Sequence, residues 1–400
     1  MKRSEAFFIK DEKKISVFDI FITFFKIGLT AFGAAMMTET KKSVVMQKKW
    51  VEEREFLNGL SLAQFLPGAT FVSLTVFLGY QTKRLSGAFA SFLGLLLPPF
   101  GLMVLLSYLY FTYGNIPTVN IIFTGLKALV VALIANALFE IGKSIFKNWQ
   151  AVLIAIAAFG VAWLNVNIFF ILIIASILGI ILYRPWSSMP KKVSNNNQIT
   201  FKSNIKEIII TLAVVGGVFL ISALSPILLK LEEVFFWIGL LVFGNGYTMI
   251  PVIQQQVVNM NHWLTPSQFM VGIALGQVTP GPIVITATFI GYKVAGILGS
   301  IAATVGVFTP CLLLVITLIP IYVKIKENSW VKVVLNGVVA SFIGLITLVL
   351  IDMISNNLTT PLTIILAVGA FLVLRFTKLN TLWVLLGGTG IYFLIAQFIR

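Results

Sequence analysis

Two short stretches carry residues that could bind an anion. Pro67-Gly68-Ala69-Thr70 and Pro280-Gly281-Pro282 each interrupt a long apolar run, and Gln64 and Gln277 stand three residues upstream of Pro67 and Pro280. Glycine lets a ligand approach the backbone closely. Proline at the first position of a helix gives up no hydrogen bond there. A helix that starts at such a break points its unpaired N–H groups at the break, and those groups attract anions. Thr70 and Ser73 are three apart and share a helix face beyond the first break, which adds hydroxyl donors. Two further breaks, Phe32-Gly33 and Phe243-Gly244-Asn245-Gly246, would supply more. Donors with little fixed charge suit a dianion.

Ionisable residues within apolar segments come next, because charge inside a membrane is costly and usually functional. Lys127 sits in the middle of FTGLKALVVAL, and Lys26 lies in the first apolar run. Both are candidates for drawing an anion inward. Glu140 and Asp352 hold equivalent positions near helix ends and are candidate proton carriers, since desolvation favours a protonated carboxyl.

These residues must be positioned by membrane helices. Hydrophobic residues make up 58% of the 400, only 11% are charged, and the mean hydropathy is +0.99. A soluble core cannot use that much apolar surface. The apolar runs are about 20 residues long, which suits helices crossing roughly 30 Å of hydrocarbon. The short alternating segments of a barrel are missing. One cysteine, Cys311, and one histidine, His262, rule out an internal disulfide and a Cys-rich metal site, and argue against a catalytic cluster. No enzyme activity, cofactor or metal is expected. The sequence also lacks a Walker-type phosphate loop. The net charge of +15 is dispersed in loops between apolar runs. The positive-inside rule accounts for it better than a nucleic-acid partner does.

The chain repeats itself at an offset of about 212 residues. Phe32-Gly33 matches Phe243-Gly244, Pro67-Gly68 matches Pro280-Gly281, Gly79-Tyr80 matches Gly291-Tyr292, and Pro98 matches Pro310. The expected layout is a cytoplasmic tail (1–16), a first repeat (17–184), a basic linker (185–206), a connecting transmembrane helix (207–229) and a second repeat (230–400). One extra crossing turns the second copy upside down. With the N-terminus inside, that arrangement puts every Lys and Arg on the cytoplasmic side except Lys26, Lys127, Lys230, Lys293 and Arg400. It also makes 18–38 and 60–80 re-entrant hairpins rather than crossings, with 39–59 an interfacial helix between them. The fold class is therefore an all-α polytopic membrane protein. It has two inverted-topology repeats with broken or re-entrant helices, joined by one extra transmembrane helix. Homo-oligomerisation is left open.

The stretches FGAAMM, EFLNGLSLAQFLPGA, FGNGY, HWLTPSQFMVGIALGQVTPGP and GYKVAG resemble the twin signatures of the chromate ion transporter family in its two-domain form. The resemblance covers both repeats and omits the tail and the linker. It implies export of chromate across a bacterial inner membrane, driven by the proton-motive force, with sulfate as a look-alike. Sulfate or another inorganic anion, or an anion channel, is the alternative. Two departures stand out: Ala69 and Ala34 take places where the family usually has proline and glycine.

Overall fold

The computed structural model describes residues 15–33, 35–145, 147–183, 205–241, 243, 246–319, 328–377 and 379–398. Most of the N-terminal tail and linker, together with Gly244 and Asn245, lies outside them. The regular secondary structure of the described residues is helical, apart from one isolated backbone bridge.

The helices fall into two matching series. The first is α1 (Val17–Thr30), α2 (Ala35–Thr40, continued by a π-helical turn, Lys41–Gln47), α3 (Glu53–Phe65), α4 (Thr70–Tyr113), α5 (Pro117–Ile145), α6 (Trp149–Trp163) and α7 (Ile168–Leu182). Next comes α8 (Ile205–Ser222). The second series is α9 (Pro226–Leu241), α10 (Met249–Gln254, with a π-helical turn, Gln255–Met260), α11 (Pro266–Val278), α12 (Thr286–Leu318), α13 (Ser329–Asn357), α14 (Pro361–Phe376) and α15 (Thr381–Phe398). Even the π-helical turn recurs at the same place. So does the left-handed residue that follows it, Lys49 at φ 53° and His262 at φ 50°.

Two expectations need correction. The connecting segment 207–229 is not one helix: α8 stops at Ser222, and Pro226 opens α9. Proline is favoured at a helix start because it has no N–H to lose there. Likewise 39–59 is not one interfacial helix, since the chain leaves helical geometry between Gln47 and Glu53.

Helices α4 and α12 are each bent double. Lys83 and Arg84 leave helical geometry at φ/ψ of −148°/36° and 50°/−138°, and Ala295 and Gly296 do so at −147°/33° and 59°/−144°. The arms meet at glycine. A Cβ on Gly79 would lie 2.2 Å from Ser91 Oγ, and one on Gly291 would lie 2.1 Å from the Gly299 carbonyl oxygen. The arm 70–83 is about 21 Å long at 1.5 Å per residue, too short to cross the hydrocarbon alone. At the first reversal, Glu207 of α8 accepts hydrogen bonds from Arg84 Nε at 2.8 Å and from the Tyr80 hydroxyl.

The chain forms two compact units. One takes the described residues up to Leu105, those from 205 to Gly246, and those from Thr279 to 319. The other takes Leu106 to 183, Tyr247–Val278, and Asn328 to 398. In the first unit, α1 crosses the second arm of α4 where Gly28 faces the Leu95 carbonyl and Gly94 faces the Phe21 carbonyl. Helix α9 crosses the second arm of α12 in the same way, with Gly239 on Val307 and Gly306 on Glu232. In the second unit, α13 packs on α6 and α7, while α14 and α15 pack on α5. Ala151, Ile154, Ala175 and Ala340 form a buried cluster there.

Candidate functional site

The breaks of both repeats lie in the first unit. Gly68 and Gly281 adopt nearly the same left-handed conformation, at φ 107° and 104°. An L side chain there is strained, so glycine is the residue both breaks need. Close packing adds a second reason. A Cβ on Gly68 would lie 2.6 Å from Cys311 Sγ, and a Cβ on Gly281 would lie 2.9 Å from the Pro99 ring. Pro99 and Cys311 are themselves equivalent, each following the in-helix proline Pro98 or Pro310. Each repeat thus seats its break glycine on the other repeat.

The breaks are also stitched together. Phe32 and Gly281 form a parallel backbone bridge, and the Gly281 N–H donates to the Ala31 carbonyl at 3.0 Å. This corrects the expectation that this tip amide points at an anion. Backbone at membrane depth must find a partner within the protein, and the neighbouring break provides one. Gly246, at φ 83°, is buried with Ile283 and Val284 beside it. Gly33 has φ 50° and is exposed, with nothing within 4 Å of the position its Cβ would take.

Pro280, Gly281 and Pro282 are buried, and Pro67 is partly so. Thr70 opens α4 and is 8% exposed. Beyond it, Ser73 and Thr75 are fully buried, the Ser73 hydroxyl against the Cys311 thiol and the Thr75 hydroxyl with no hydrogen-bond partner among the described residues. Gln64 is exposed at the end of α3. In the second unit, Gln277 Oε1 accepts from the Tyr247 hydroxyl at 3.4 Å, while its Nε2 is enclosed with no partner among the described residues.

The ionisable candidates separate. Lys26 is exposed on α1. Lys127 is half-buried on α5 and donates to Ser267 Oγ at 3.0 Å. Glu140 accepts from Arg375 Nη1 at 2.8 Å, and that guanidinium lies over the Phe139 ring. Asp352 accepts from Gln254 Nε2 at 2.6 Å and from Asn356 Nδ2 at 2.8 Å. It lines a cavity of about 400 Å³ together with Gln254, Gln255, Asn165 and Ser355. Sequence reasoning missed Ala31, Pro99 and Cys311. The matching prolines Pro98 and Pro310 were the available signal, since each stands next to the residue that meets a break.

Among the described residues six helices are long and apolar enough to cross a membrane, as in a polytopic membrane protein. The chain belongs to the chromate transporter family, whose model matches residues 18–180 and 229–393. An uncharacterised transporter of Methanocaldococcus jannaschii is 32% identical over 93% of this chain and 92% of its own length. A chromate transport protein of Pseudomonas aeruginosa is 31% identical over 92% of this chain and 89% of its own. Another, of Cupriavidus metallidurans, is 29% identical over 89% and 88%. No solved structure matches the chain.

Proposed function

We propose that this protein is a secondary active transporter that exports chromate across a bacterial inner membrane, coupled to the proton-motive force. The observation that carries this reading is the reciprocal seating of Gly68 on Cys311 and Gly281 on Pro99. It gathers the breaks of both repeats in one unit, where a small ligand can be met by both copies. The buried hydroxyls of Ser73 and Thr75 offer neutral donors beside the first break. Neutral donors suit a tetrahedral dianion that must be released again. Glu140 and Asp352 stand as candidate proton carriers by position.

The two repeats have opposite orientation in this reading, with the N-terminus in the cytoplasm. Broken helices meeting between inverted repeats are a common transporter design. Single cysteines at Lys41 and Asn259, in a Cys311→Ala background, should label from opposite sides of the membrane. Labelling from the same side removes the inverted arrangement.

Transport is tested with labelled chromate in everted vesicles, with and without an imposed pH gradient and with sulfate as competitor. Gradient-stimulated chromate uptake supports the proposal. Strong sulfate competition would widen the substrate to tetrahedral dianions. Flux indifferent to the pH gradient would leave a channel.

A further inference from the structure

One buried carboxyl is left unused by this account. Glu232 on α9 is 0% exposed, and neither of its carboxyl oxygens has a hydrogen-bond partner among the described residues. It lies at the crossing of α9 and α12, where Gly306 packs on its own backbone. The first repeat has the same crossing, with Gly94 on Phe21. Equivalent contacts therefore put a carboxyl in one copy where the other copy has an aromatic ring. A structural requirement of the crossing would be met by an apolar residue, as Phe21 shows.

The titratable groups on the elements packed around Glu232 are few. Helices α12 and α8 pack against α9. On α12 the titratable side chains are Tyr292 and Lys293, before the reversal at Ala295, and Cys311, which faces Gly68. On α8 they are Lys206 and Glu207, the latter tied to Arg84 and Tyr80. On α9 itself Lys230 and Glu233 are neighbours in sequence. The Ser222 hydroxyl at the end of α8 is a neutral polar group set against Glu232, short of a well-formed hydrogen bond.

Glu232 also has a mechanical link to the breaks. Gly239 lies seven residues further along α9, two turns away on the same face and about 10 Å along the axis. The Gly239 carbonyl oxygen is 3.5 Å from where a Gly68 Cβ would sit, and Cys311 of α12 is the other neighbour of Gly68. The helix pair that encloses Glu232 is thus the pair that holds the first break.

We propose that Glu232 is a proton-binding site of the transport cycle, its protonation state coupled through the α9–α12 crossing to the seating of Gly68. With the proton on, the neutral carboxyl tolerates the dry crossing. When the O–H bond breaks and the proton passes to water, the carboxylate must be hydrated. The crossing then opens, and the grip of Gly239 and Cys311 on the break changes with it. The inference rests on the proton-coupled reading above and adds a buried proton-binding group to Glu140 and Asp352.

The test uses the purified full-length protein in proteoliposomes. Chromate flux under an imposed pH gradient is compared with chromate–chromate exchange without one, for wild type, Glu232→Gln and Glu232→Asp. Expected is about tenfold gradient stimulation in wild type, lost in Glu232→Gln with exchange retained, and kept in part by Glu232→Asp. Gradient stimulation of Glu232→Gln equal to wild type overturns the inference and leaves proton coupling standing. A wild type without gradient stimulation overturns the coupled reading. Infrared titration then decides the site alone. A protonated-carboxyl stretch present in wild type, missing from Glu232→Gln and shifted in Glu232→Asp supports proton binding at Glu232, and its absence from wild type overturns it. Should Glu232→Gln fail to fold, Glu232→Asp and the wild-type spectrum still decide.

Discussion

The N–H of Gly281 donates to the Ala31 carbonyl at 3.0 Å, so a break in the second repeat closes on a break in the first. Neither partner is a side chain. The contact depends on two stretches of backbone leaving helical geometry at matching places. Much of the behaviour expected of the protein follows from how tightly those places are built.

Gly281→Ala should abolish chromate transport while the protein still inserts. The left-handed φ of 104° costs an alanine roughly 1–2 kcal/mol. Its Cβ would also meet the Pro99 ring at 2.9 Å. Gly369→Ala is the control, since nothing lies within 4 Å of that position on α14. Uptake in everted vesicles, normalised to membrane content, checks both. Normal flux in Gly281→Ala would remove the breaks from the transport path.

Cys311 should resist thiol reagents in the folded membrane protein. It is fully buried, with its Sγ 3.9 Å from the Ala69 carbonyl oxygen. Gly68→Leu should expose it, because the larger side chain displaces the sulfur that now fills the site. Maleimide labelling before and after the substitution reads this directly.

Gly87→Leu should drive apart the arms of α4. A Cβ there would already come within 2.1 Å of the Gly79 carbonyl oxygen. Overpacking of this kind costs about 1–3 kcal/mol or more. A fall of several degrees in the melting temperature of the detergent-purified protein is expected. Gly299→Leu should have the same effect in α12, where a Cβ would lie 2.1 Å from the Gly291 carbonyl oxygen.

Lys127→Met should raise the KM for chromate several-fold, and Lys127→Arg should recover part of the loss. The methionine keeps the apolar stem but removes the ammonium that now donates to Ser267 Oγ. An unchanged KM would assign Lys127 to packing alone.

The sequence made the repeat and its interruptions readable because proline and glycine mark backbone that cannot continue a helix. The reversal in α12 was not read, although Gly296 marks it. Its counterpart has no such mark: Arg84 takes a left-handed φ of 50° where the second repeat has a glycine. Partners across the chain were invisible as well. Nothing local to Gly68 points to Cys311, more than 240 residues away, or explains why Gly281 spends its amide on Ala31. Such pairings come from packing between copies, and a single chain read in order does not record them. Glu232 was passed over because the adjacent pair Glu232 and Glu233 in an apolar helix looks solvated until the opposing glycine is seen.

Each compact unit takes helices from both halves of the chain: α5 of the first copy is covered by α14 and α15 of the second. A half expressed alone would leave such faces bare. Severing the linker should therefore yield two fragments that are useful only in company. Fusion of the copies into one polypeptide raises the local concentration of each for the other, and turns an encounter between molecules into a step of folding.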